Sequence, residues 1–112
     1  MEFTNEVKRK HLKAFTKVMK DSKGKGPRNI AINYLADEIH VVMEGHISEY
    51  EKYLIKNFGQ EAIELLTNFH ERDIKNVEDN FNQHIKENYN LEIYELVTDF
   101  VSDVFVWKIR VR

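Results

Sequence analysis

Residues 60–88 read QEAIELLTNFHERDIKNVEDNFNQHIKEN, and this stretch decides the fold. Ile63, Leu66, His70, Ile74, Val77, Phe81 and Ile85 recur at steps of three or four, the spacing that lines side chains along one stripe of an α-helix. The spacing predicts one long helix from about Gln60 to Asn88. Such a stripe must be buried against another layer, and the flanking segments supply one. Residues 91–101 and 104–111 are rich in β-branched and aromatic side chains and predict two strands, with a turn at Ser102-Asp103. On the last strand Phe105, Trp107, Ile109 and Val111 share one face, and Val104, Val106, Lys108 and Arg110 the other. On the strand before it, Ile93, Val97 and Val101 fall on one face and Tyr94, Leu96 and Phe100 on the other. Both faces of this hairpin therefore carry apolar residues, whereas a sheet covered on one side alternates with polar ones. The expectation is that the first helix, or a second subunit, covers the second face.

Upstream of the long helix, Ser48-Glu49-Tyr50-Glu51 is a capping-box pattern that opens a short helix. Asn57-Phe58-Gly59 stops it. Before that, Ile30, Ile32 and Tyr34, then Ile39, Val41 and Met43, alternate with period two and predict a hairpin. It turns near Ala36-Asp37 and closes at Gly45-His46. Residues 3–20 predict a first helix with Phe3, Val7, His11, Ala14, Phe15 and Val18 on its stripe; Asp21 to Pro27, with two glycines and the only proline, ends it. The order is α-β-β-α-α-β-β. This is one α+β domain over residues 1–112, with two antiparallel hairpins in one sheet, an N-terminal helix and a long central helix packed across one face. The leftover apolar face predicts a homodimer.

Composition narrows the function. With 42% hydrophobic and 32% charged residues the chain is globular. No apolar run approaches the ~18–20 residues of a membrane-spanning helix, and the first residues show no apolar signal core. Cysteine is absent, which removes disulfides, thiolate metal sites and a thiol nucleophile and fits a reducing cytoplasm. The net charge of −2 is unevenly spread: residues 1–28 hold nine basic residues against three acidic ones, leaving the rest strongly acidic. A basic end on an acidic body suits a phosphate, a lipid surface or an acidic protein patch. Nucleic acid is not expected as a partner, because the acidic body would repel its backbone and Phe105 and Trp107 alternate as a core face does.

Gly24-Lys25-Gly26-Pro27 leading into a strand, Ile39-His40-Val41-Val42-Met43-Glu44-Gly45 ending a second strand in Glu-Gly, the Ser48–Glu51 capping box and Val97-Thr98-Asp99 occur in an order that resembles the MpsC-like family of small bacterial cytosolic proteins. The resemblance covers nearly the whole chain. It departs at Val97, where the family usually has a histidine in a His-Ser-Asp-like stretch. The resemblance implies a link to a sodium-dependent, membrane-potential-generating system tied to uptake of dissolved inorganic carbon as bicarbonate. The membrane subunits would do the transport. The chain would be a cytosolic accessory or regulatory component in contact with them, peripheral at the inner face of the cell membrane.

The residues themselves offer one candidate contact: Lys23, Gly24, Lys25, Gly26 and Arg28. Glycines let backbone amides approach an anion, and the cations add charge for an anion or an acidic surface. The spacing is not that of a Walker loop, and a helix rather than a strand precedes it. His11 and His70 lie on apolar stripes, as core histidines do. His40 and His46 flank Glu44 without tight metal-ligand spacing. No nucleophile elbow, thiol or clear acid-base pair is present, so neither catalytic residues, nor a metal, nor a cofactor is expected, and the expected function is binding. The alternative is an independent regulatory module for a small anion or nucleotide. The basic first helix also fits a lipid surface.

Overall fold

A computed structural model describes residues 2–112. Helix α1 (Asn5–Lys23) begins at Thr4, whose side-chain oxygen accepts from the Val7 amide at 3.2 Å, and ends at Gly24 in the left-handed region at φ 83°. It runs one turn beyond the expected end at residue 20. Lys17 pairs with Asp21 at 2.8 Å, and Asn80 donates to Ser22 at 2.8 Å, which holds that last turn against the neighbouring helix. Lys23 therefore belongs to the helix rather than to the loop.

Strands β1 (Asn29–Tyr34) and β2 (Glu38–Glu44) form the first hairpin, in unbroken register from Asn29↔Glu44 to Tyr34↔Ile39. Helix α2 (Glu49–Phe58) opens on the complete capping box: Ser48 Oγ accepts from the Glu51 amide at 3.1 Å, and Glu51 Oε1 from the Ser48 amide at 3.0 Å. Gly59, at φ 58°, separates it from α3 (Gln60–Phe81). The expected single helix to residue 88 is interrupted. Asn82–Lys86 form a wide π-turn, and a final turn, α4 (Glu87–Tyr89), follows. Val77, Phe81 and Ile85 are spaced by four residues across the start of this wider turn, and all three side chains are fully buried.

Strands β3 (Leu91–Asp99) and β4 (Val104–Val111) complete an antiparallel sheet of order β1-β2-β4-β3. The chain is thus α+β with the expected element order. α1 and α3 both lie on one face of the sheet. Phe15 of α1, Phe81 of α3 and Trp107 of β4 meet with ring centroids 5.9–6.1 Å apart. Ile39, Val41, Met43, Phe105 and Ile109 complete the floor of this core. The first helix therefore does not cover the second face.

The mixed faces of β3 have a different explanation. Its register with β4 shifts between Ile93 and Glu95, so Tyr94 is an extra, bulged residue. The bulge reverses the alternation, and Ile93 and Leu96, expected on opposite faces, both pack against the core. Val97 points away. Phe100 leaves the strand and joins a second small cluster with Ile47 and Leu66. The open face carries Glu38, His40, Glu95 and Lys108, with a short apolar row in which Val106 is paired to both Val42 and Val97.

Candidate functional site

The turn at Gly24–Pro27 sits over a buried ionic cluster, and Lys23 joins the two. Its side chain is 7% exposed. The ammonium points inward, donating to the His46 carbonyl at 3.3 Å, 3.3 Å from His70 Nδ1 and 4.0 Å from Asp73. Burial lowers the Lys23 pKa and Lys25 adds to this, while Asp73, Glu51 and Asp103 oppose it.

His70 occupies the centre. Its Nε2 lies 2.6 Å from Glu51 Oε2, and its Nδ1 lies 3.4 Å from Asp73. Its two ring nitrogens thus face the Glu51 carboxylate on one side and Lys23 with Asp73 on the other. The capping carboxylate thus closes α2 on one oxygen and holds α3 through the other. Burial would raise the Glu51 pKa, but hydrogen bonds from His70 and from Ser48 outweigh it and hold the carboxyl below its usual range.

Beside it, Asp103 takes a left-handed backbone at φ 57°, which Asp tolerates better than most residues. Its Oδ1 accepts from the Ile47 amide at 2.9 Å, and Lys52 lies 3.4 Å from Oδ2. His46 Nδ1 is 3.0 Å from Asp103 Oδ1 but too poorly aligned for a hydrogen bond, and Nε2 has no partner among the described residues. Burial and the positive charge of Lys23 push His46 down to about 4, against Asp103. His46 is neutral at pH 7 in this setting.

The proposed contact residues do not act as one surface. Lys23 is internal, whereas Lys25 and Arg28 are exposed. Arg28 lies 3.5 Å from Glu44, and its amide donates to the Glu44 carbonyl at 2.8 Å. Gly24 caps α1, and Gly26 packs near Thr16. A more exacting glycine lies outside the set: a Cβ on Gly45 would stand 2.6 Å from Arg28 Cβ. His40 turns to Glu38 at 2.9 Å, away from His46. Among the described residues no group of three acidic or histidine side chains is placed to hold a metal ion.

Glu51, Asp73 and Asp103 were not expected at a site. Lys23 and His70 are 47 positions apart, so no local pattern joins them. The one nearby signal is Asp73, three residues after His70 on the helix. His70 also borders an open groove of about 500 Å³ that includes Val97, Thr98 and Asp99. Asp99 caps the β3–β4 turn, and hydrogen bonds from the Ser102 and Val101 amides lower its pKa.

These features define a two-layer α+β protein, with two helices on one face of an antiparallel sheet and a largely buried ionic cluster where α2, α3 and the turns meet. The chain matches the model of a family described as "Na+-translocating membrane potential-generating system (MpsC)" over residues 4–104, from the cap of α1 to the first residue of β4, and it belongs to that family. Neither the curated proteins nor the solved structures give a match. The family's description ties the chain to a sodium-translocating system that generates a membrane potential.

Proposed function

We propose that the chain is a non-catalytic cytosolic accessory or regulatory component of this system, acting in ion-coupled uptake of dissolved inorganic carbon as bicarbonate. The observation that carries the reading is the family match across nearly the whole chain; the link to bicarbonate rests on the family resemblance alone. A helical ion path needs spans of about 20 apolar residues. No helix among the described residues is long and apolar enough to cross a membrane, which supports assigning transport to other components. Contact with those membrane subunits would use the exposed pair Lys25 and Arg28, with Gly24 and Gly26 allowing close approach. Lys23 would hold the turn from beneath. The short valine row on the open face of the sheet is the feature that supports a homodimer.

The test is co-purification of the tagged chain with native membranes at low and high salt, against a lipid-only control. Retention by native membranes alone, lost in Lys25→Glu/Arg28→Glu, is expected. Absence of any membrane association would sink the direct form of the reading. Full retention by the double variant would refute the contact assignment.

A second reading, an anion- or nucleotide-binding regulatory module, is favoured by one observation. An open groove of about 570 Å³ between α1 and the π-turn is lined by Lys10, Lys13, Lys17 and His84. Bicarbonate, phosphate or a nucleotide at 100 times its dissociation constant would stabilise the fold by about 2.7 kcal/mol, which thermal unfolding would detect.

A further inference from the structure

The two edges of the sheet are built differently. β3 carries Glu92, Glu95 and Asp99 and the bulge at Tyr94, devices that keep an edge from pairing with another chain. β1, Asn-Ile-Ala-Ile-Asn-Tyr, has no charge, no proline and no bulge. The Leu35 amide donates to the Glu38 carbonyl at 2.8 Å, which sets the phase of the ladder. Odd-numbered residues of β1 bond to β2, so the amides and carbonyls of Ile30, Ile32 and Tyr34 point off the edge.

The same three side chains point toward the helix layer, and α1 does not close over them. They remain half-buried. With Leu12, 41% exposed, they line an open groove of about 450 Å³ between β1 and α1. The α1 wall of the groove carries Lys8 and Arg9; among the described residues no acidic side chain lines it, and Glu2 lines the adjoining cavity beyond Lys8 and Tyr34. The Lys8 ammonium stands 4.7 Å over the Tyr34 ring. The groove thus offers outward-pointing main-chain groups, an apolar floor and a basic wall side by side.

We propose that the β1 edge is a strand-addition site for an extended acidic segment of a partner protein. Its main chain pairs with Ile30, Ile32 and Tyr34, its apolar side chains enter the groove, and its carboxylates meet Lys8 and Arg9. A second copy of this chain fits less well. Pairing two β1 edges about a two-fold axis would bring Lys8 and Arg9 of both copies to one seam, like charge against like. The site is separate from Lys25 and Arg28 and does not depend on the membrane contact proposed above.

The probe is a capped, fluorescein-labelled ten-residue peptide alternating glutamate and valine, titrated with the full chain at low salt and followed by anisotropy and by amide shifts of the labelled protein. Saturable binding is expected, with shifts concentrated on residues 29–35 and along Lys8–Leu12. Lys8→Glu/Arg9→Glu, on the helix wall of the groove, should weaken it at least tenfold. Ile32→Pro, which removes an outward amide, should weaken it at least fivefold, and a lysine-valine peptide should not bind. Absence of saturable binding by the unaltered chain, binding indifferent to the charge reversal, or shifts centred on β3 would overturn the proposal. Self-association abolished by Ile32→Pro would also overturn it, in favour of a second copy.

Discussion

The aromatic core around Trp107 and the ionic cluster around His70 touch through Phe105, whose ring lies 6.3 Å from Trp107 and 5.6 Å from His46. They are held by opposite means. The core is a set of rings and aliphatic chains whose attraction is non-directional and scales with buried area. The cluster consists of a few charged groups paired with particular partners around one neutral histidine, His46, and there an unmatched group costs more than a matched one contributes. The first should tolerate changes that conserve volume and, apart from the buried His11 stacked on Phe15, whose pKa burial lowers, respond little to pH. The second should do neither.

The largest expected effect separates them by size. Trp107 is fully buried, and Trp107→Ala should cost about 3–5 kcal/mol, equally at pH 7 and pH 5.5, in urea unfolding. A loss much below this would mean the core closes over the gap. The next effect separates them by pH. His46 titrates near 6.5 when unfolded and at about 4 when folded. Between these values the unfolded state takes up a proton that the folded state does not, so stability falls as pH drops. The loss is about 3 kcal/mol across pH 6.5 to 4. His46→Phe should remove most of that slope, the buried His11, whose pKa burial also lowers, keeping a part; a slope unchanged in the variant would place its origin elsewhere.

Glu51→Gln is expected to cost about 1–3 kcal/mol at neutral pH, as its charge-assisted bond from His70 is lost. Because the folded Glu51 pKa is lowered, this contribution is present above the unfolded value and disappears as pH falls through the folded one. A urea series from pH 7 to pH 3 would show the variant and the parent converging. The smallest effect lies outside both regions: Lys25→Glu/Arg28→Glu should change stability by no more than about 0.5 kcal/mol. A larger loss would show that the turn is structural.

The core was legible and the cluster was not, for a physical reason. Periodicity reports which face of an element is buried, and it placed Phe15, Val77, Phe81, Phe105 and Trp107 on inward faces. The Ser48–Glu51 box was equally plain because its bonds span three residues. Tyr94 broke the reading of β3, since one inserted residue reverses every face after it and nothing in Ile93-Tyr94-Glu95 announces the bulge. The π-turn at Asn82–Lys86 was hidden because its stripe still advances by fours. Of the expected contact, Lys25 and Arg28 are on the surface. Lys23 is not, because one more turn of α1 swings it toward His70, and tertiary partners rather than local spacing decided that.

α2 has no buried residue. It is fastened at its start by the Ser48 box, at its end by Gly59, and along its length by Glu51 to His70, Lys52 to Asp103 and a small apolar contact through Ile55. Such a segment opens at a lower free energy than the sheet it leans on. Its amides would exchange with solvent while those of β2 and β4 stay protected, and each opening would wet the His70 ring. The cluster then works as a clasp, loosened by acid, on a helix that buries no residue of its own.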